Sequence, residues 1–268
     1  DRIEEKVRAG ERLTPEEGLY LYQEAPMDRL GPLANWVREK LHGNRTSYII
    51  NMHLNYSNVC AVKCMFCAFR RDKGEEGAYE MSMEEMIHRV APLKDVPEAE
   101  VHIVGGLHPG YPYSYYPQLL STLKEHYPQA HLKAFTAVEI DYFAELAGKS
   151  PAWVLANLKE AGLGSMPGGG AEVLTDRIHK KLYRDKMGPQ KWLDIHKEAH
   201  KLGIRTSATM LAGHIETYQE RVTHLVRLRE LQDETGGFLA YIPLRFHPEN
   251  TPLRKLNFMD SEGVLRQV

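Results

Sequence analysis

The 268 residues are 43% hydrophobic and 26% charged with a formal net charge of −2 at pH 7, a soluble-globular balance that predicts no broad attraction to nucleic acid or an anionic membrane. No run of about 18 apolar residues occurs, which argues against a transmembrane helix, and the charged opening DRIEEKVRAGERL lacks the apolar stretch of a signal peptide. The length suits one large α/β domain or two small ones, and a reducing, cytoplasmic setting is the expectation for unpaired thiols.

In chain order, two helical pieces open the sequence, the second at Thr14-Pro15-Glu16-Glu17, where Thr caps, Pro takes the first turn and the acids face the helix dipole. Short β-prone runs then recur at YIINMHLNYS (48–57), EVHIVGG (100–106), HLKAFTAV (131–138), GSMPGG (164–169), IRTSATMLAG (204–213) and GFLAYIPL (237–244). Between them lie helices with readable signals. Ser82 and Glu85 form a capping box before MEEMIHRV, Ser150-Pro151 opens AWVLANLKEAG, which stops at Gly162, and Thr217 with Glu220 caps RVTHLVRLRELQDE.

Strands recurring every 30 to 50 residues have the spacing of βαβ units in a parallel sheet. The predicted fold is α/β: a TIM-type (β/α) barrel unit over 46–268 with six parallel strands, preceded by a helical extension over 1–45. The chain starts without Met and closes on SEGVLRQV with no terminating element, so missing residues at one or both ends are an expectation too. The segments GGLHP, AVEID, PGGGAE, GHIET and RFHPEN follow the strands at their carboxyl ends, the active face of such a barrel.

Cys60, Cys64 and Cys67 are the only cysteines and share the short loop NVCAVKCMFCAFRR after the first strand. Thiolates suit zinc, copper(I) or iron-sulfur clusters, and three of them leave one iron of a cubane without a protein ligand, open to an exogenous molecule. The competing reading is a structural zinc completed by His53 or His88, although no second cysteine pair exists. Lys63, Arg70 and Arg71 are near enough to offset a net negative cluster, or simply decorate a solvated loop.

Cys-x3-Cys-x2-Cys with Phe66 before the last Cys resembles the signature of the radical S-adenosylmethionine (SAM) superfamily. The resemblance implies a 4Fe-4S cluster held by Cys60, Cys64 and Cys67, SAM as co-substrate on the open iron, and reduction by a donor such as flavodoxin or ferredoxin. It also suggests SAM contacts at Phe66, Gly105-Gly106, Glu139, His214, Ile215 and Tyr241, although Leu107 stands where the usual acid follows the glycines. The bland readings are a strand-ending turn for Gly105-Gly106, a surface acid for Glu139 and ordinary core or capping residues for the rest.

Longer stretches narrow the likeness. VHIVGGLHP, KAFTAVEIDYFA, SMPGGGAEV, WLDIHKEAHKLGIRTSATMLAGHIET and LQDETGGFLAYIPLRFHPENTPL resemble the aminofutalosine synthases of menaquinone biosynthesis, from about residue 10 to 256. The implied reaction adds the 5'-deoxyadenosyl radical to 3-[(1-carboxyvinyl)oxy]benzoate and decarboxylates the product to aminofutalosine. Such an aromatic enolpyruvyl carboxylate calls for donors near the cluster, and His53, Arg70, Arg71, His108, Arg245, His247 and Asn250 are available, with Gly169 in a backbone-lined wall. Members of that family continue well past HPENTPL, enough to complete eight strands. A hydrogen-abstracting relative, such as dehypoxanthine futalosine cyclase or a deazaflavin (FO) synthase subunit, and a non-catalytic zinc module are the alternatives.

Overall fold

In the computed structural model, which describes residues 2–255, six strands pair in chain order into one wholly parallel sheet that curls into a half-barrel. They are β1 (Asn51–Leu54), β2 (Glu100–Ile103), β3 (His131–Ala134), β4 (Ser165–Met166), β5 (Arg205–Ala212) and β6 (Phe238–Arg245). A parallel neighbour requires a crossover. Helices supply each one: α4 (Met83–Val90), α5 (Tyr115–His126), α6 (Ala137–Ala147) with α7 (Pro151–Glu160), α8 (Asp176–Leu182) with α9 (Pro189–Lys201), and α10 (Tyr218–Thr235). Three helices, α1 (Arg2–Ala9), α2 (Pro15–Gln23) and α3 (Met27–His42), precede β1, and α2 lies on α10 with Tyr22 and Tyr218 stacked at 5.5 Å. Residues 256–268 of the expected barrel unit lie outside the described residues.

One face of the sheet is apolar. Leu54, Val101, Ile103, Leu132 and Ala134 are buried against Met86, Val90, Leu120, Ile140 and Phe143 of the helices. The capping boxes at Thr14, Ser82 and Thr217 all form.

The predicted third strand, 131–138, is cut short. Phe135 takes a positive φ of 61°, and Thr136 starts α6 with a fourth capping box whose other member is Glu139. The β-prone letters of FTAV lose to this cap, because Thr136 Oγ1 accepts the Glu139 N–H while the Glu139 carboxylate accepts the Thr136 N–H at 2.7 Å. The fourth strand also stops early. A Cβ on Gly168 would sit 2.7 Å from the Ala208 and Thr209 backbone, so only glycine lets the chain leave β4 across β5.

Candidate active site

The cysteine loop leaves β1 and is pinned at both margins. The Cys60 N–H donates to Arg71 O at 3.2 Å and the Ala61 N–H to Leu107 O at 2.9 Å, while the Met65 N–H donates to Leu182 O at 2.9 Å, tying the loop to the end of α8. The Leu107 N–H donates to Cys60 Sγ at 3.3 Å. Burial raises the Cys60 thiol and pushes Cys64 up to about 12, with Lys186 pulling Cys64 the other way and Cys67 raising both. The three thiols therefore sit within electrostatic reach of one another, and binding to a positive centre would favour the thiolate forms of Cys60 and Cys64 that burial opposes.

The glycine pair after β2 shapes the space beside Cys60. A Cβ on Gly106 would lie 2.2 Å from Val59 O and 3.0 Å from the Cys60 Cβ, and one on Gly105 would lie 2.4 Å from the Tyr56 ring. The backbone thus passes the cysteine loop at a distance that only glycine allows. Glu139 fixes this passage from below. Its carboxylate accepts the Gly105 N–H and the Tyr56 hydroxyl, both at 3.0 Å, besides the Thr136 N–H and hydroxyl. Burial pushes Glu139 up to about 7, against the hydrogen bonds from Thr136, Gly105 and Tyr56.

A buried cation stands on the other side. Lys186 pairs with Glu172 at 2.9 Å and lies over the rings of Tyr183 and Phe66, 4.4 and 5.1 Å from their centroids. Burial works to lower it, but Glu172, Cys64 and Cys67 hold its ammonium above the ordinary range, so it is charged at neutral pH. Phe66 meets Tyr183 edge-on at 5.9 Å, and Tyr183 donates to Ala171 O and Val173 O.

The remaining expected residues divide. Gly169 lies against Thr136, within 3.2 Å of it for an added Cβ, and its carbonyl accepts the Trp192 Nε1–H. His214 and Ile215 follow β5 in a turn built on Glu216, which takes the backbone N–H groups of Gly213 and His214 and pairs with Arg221 at 2.6 Å. Burial tends to raise Glu216, but His214, Gly213 and Arg221 outweigh it and hold it down to about 2. Tyr241 bridges the main core and the smaller apolar cluster that also takes in Cys64, Phe66 and Ile215.

His108 stacks on Tyr111 at 3.8 Å with Nε2 2.8 Å from Glu80. Arg70 and Arg71 turn back onto the loop, Arg70 to Cys60 O and Asp72, Arg71 to the carbonyls of Ala68, Phe69 and Arg70. Arg245, His247 and Asn250 are exposed at and beyond the end of β6. His53 is exposed on the sheet, stacked on His102 at 4.7 Å, and His88 is exposed on α4. Among the described residues no three His, Cys, Asp or Glu side chains, the three cysteines included, are placed to hold a single metal ion, and neither histidine joins the cysteines.

Sequence reading missed Tyr56, Glu172, Lys186 and Glu216. Tyr56 had a signal in being the one large aromatic between β1 and the cysteines, whereas Glu172 and Lys186 are fourteen apart and meet only through the fold.

The donor set fits a 4Fe-4S cluster with one open iron: three soft ligands on one loop, an N–H donor on one sulfur, a side-chain-free approach at Gly106 and a buried cation to offset the charge. The pattern of the Radical SAM superfamily matches residues 54–228. The chain is 47% identical over 253 residues to the aminodeoxyfutalosine synthase of Thermus thermophilus, covering 94% of this chain and 68% of that protein. It is 45% identical to the Streptomyces coelicolor aminodeoxyfutalosine synthase, covering 91% of this chain and 63% of that one. The chain therefore spans about two thirds of the length of these relatives. A crystal structure of methylornithine synthase matches with a TM-score of 0.75 at 20% identity, over 98% of this chain and 75% of that one, a likeness of fold.

Proposed function

The chain belongs to the radical SAM superfamily, and from that membership we propose that it acts as an aminofutalosine synthase, joining the 5'-deoxyadenosyl group of SAM to 3-[(1-carboxyvinyl)oxy]benzoate with release of methionine and, taking up one water, of one carboxylate as bicarbonate. The observation that carries this reading is the likeness to two aminodeoxyfutalosine synthases along nearly the whole chain. When bound, the 4Fe-4S cluster and SAM supply the one-electron chemistry that cleaves the sulfonium.

The residues of this chain do the rest. Cys60, Cys64 and Cys67 would hold the cluster, and the Leu107 N–H steadies the sulfur of Cys60. Gly105 and Gly106 leave room beside Cys60, and Glu139 holds the Gly105 amide so that this room keeps its shape. Lys186 offsets the charge of the thiolates from a site where water cannot screen it. Phe66, Leu182 and Tyr183 pack an apolar seat under the loop, which keeps water from a reactive carbon centre. In this reading the enzyme works in the cytoplasm, with a flavodoxin or ferredoxin as electron donor.

Anaerobic incubation of reconstituted protein with SAM, dithionite and the enolpyruvyl benzoate, followed by product mass, tests the assignment. The expected product contains adenosine covalently joined to the benzoate. Accumulation of free 5'-deoxyadenosine without an adduct would replace this reading with a hydrogen-abstracting one.

A further inference from the structure

An electron has to reach the cysteine loop from outside, because the proposed chemistry starts with a one-electron reduction. The loop shows large apolar side chains to solvent at two points. Met65 lies between Cys64 and Phe66, which both pack onto the smaller apolar cluster, yet it is itself 38% exposed, and its N–H is held by Leu182 O at the end of α8. Phe69, two residues after Cys67, is 79% exposed and is the one exposed phenylalanine among the described residues. The Cys67 N–H donates to Cys64 O at 3.2 Å, a turn that keeps these two side chains on one short stretch of loop.

The adjoining helix surrounds this stretch with positive charge. Ile178 and Leu182, four apart on α8, are buried in the same apolar cluster as Cys64 and Phe66, which turns Lys180 and Lys181 outward. Both lysines are exposed and make no ion pair among the described residues. Arg184, just past the helix, is exposed with its neighbour Asp185 at 3.6 Å, and Lys63 on the loop is exposed 4.0 Å from Asp72, which already pairs with Arg70. These acids temper the charge without cancelling it. Residues 172–191 hold six Lys and Arg against three Asp and Glu, residues 58–80 hold four of each, and the whole chain is net negative. A solvated helix face would account for the lysines, but not for the apolar side chains exposed beside them, one of which adjoins Cys64.

Apolar side chains rimmed by charge are the anatomy of a small protein interface, and electron-transfer encounters use the smallest interfaces of all. We propose that Met65 and Phe69, with Lys63, Lys180, Lys181 and Arg184 around them, are the docking surface for an acidic, flavin-bearing electron carrier. The apolar edge of its flavin lies against Met65 and Phe69, and its carboxylates face the four cations. One electron leaves the reduced flavin and enters the oxidised cluster held by the loop, with no covalent bond made or broken between the proteins. The proposal rests on the cluster reading above and names the partner that feeds it.

Stopped-flow mixing of reduced flavodoxin with the reconstituted full chain reads cluster reduction by absorbance and needs no substrate. Lys180→Glu and Lys181→Glu should each slow it about tenfold at low ionic strength and flatten its fall with added salt. Lys94→Glu makes the same charge change ahead of β2, at the opposite end of the strands, and should leave the rate as it is. Phe69→Ala should weaken the complex with oxidised flavodoxin about threefold in calorimetric titration, at low and high salt alike, because its contact is apolar. Photoreduced 5-deazariboflavin, a small neutral reductant that needs no docking surface, should reduce the parent and every variant at one rate.

Flavodoxin reduction of Lys180→Glu and Lys181→Glu at the rate of Lys94→Glu would overturn the docking surface and leave the cluster reading standing. Reduction by a plant-type ferredoxin that depends on these lysines, where flavodoxin does not, would overturn the flavin-bearing partner. A reconstituted chain that 5-deazariboflavin cannot reduce holds no such cluster, and the surface falls together with the reading it rests on.

Discussion

Glu139 and Lys186 are the two buried charges that the cysteine loop depends on, and they make different demands. Burial raises Glu139 from the ordinary carboxylate range to about 7, so folding favours its protonated form. The stability this contributes is complete below about 4.5 and is lost as pH rises toward 7. Thermal melts should therefore show Glu139→Gln gaining on the parent protein between pH 5 and pH 8, and a gap that does not change with pH would contradict the raised value. Lys186 and Glu172 have side-chain exposures of only 6% and 11%, so removing one strands the other. Lys186→Met should cost roughly 3–5 kcal/mol in denaturant titration, with much of the loss recovered in the double variant with Glu172→Gln. Cys64→Ala should abolish cluster loading, read as iron content and absorbance, while far-ultraviolet circular dichroism keeps the helical signal; full iron retention would remove Cys64 as a ligand.

Among the elements, the helix starts were the most legible part of the sequence because a capping box is local: Ser or Thr and a Glu three residues on are enough. Ser82→Ala should cost about 1 kcal/mol of stability and leave iron loading unchanged, since this cap opens α4 and touches no part of the cysteine loop. Gly106→Ala should do the reverse of a simple cap loss. Its methyl meets the Val59 carbonyl and the Cys60 Cβ, so the loop must shift and iron retention should fall even where the chain still folds. At 131–138 the strand gives way to the same kind of signal. Thr136 and Glu139 make a capping box as plain as the others, but it follows β3 directly, so its β-prone letters run on from those of the strand.

At the scale of the whole molecule, the six strands and their parallel pairing were legible from spacing, because each parallel pairing needs a helix-length crossover, whereas their order around the sheet is set by the fold. The ligand loop was legible too, since three sulfurs within eight residues need no tertiary structure to be recognised together. The partners assembled across distance were not. Glu139 meets Gly105, Lys186 meets the cysteines, and His53 meets His102 only once the strands have paired, and a single chain carries no local trace of those meetings.

The half-barrel makes one arrangement of these parts: a three-sulfur loop at its mouth and glycines that clear the approach. The most direct test is Mössbauer spectroscopy of protein reconstituted with enriched iron, with and without SAM. The account predicts four irons per chain, one of which changes its spectrum when SAM binds and three of which do not. One metal ion per chain, or four irons indifferent to SAM, would contradict it.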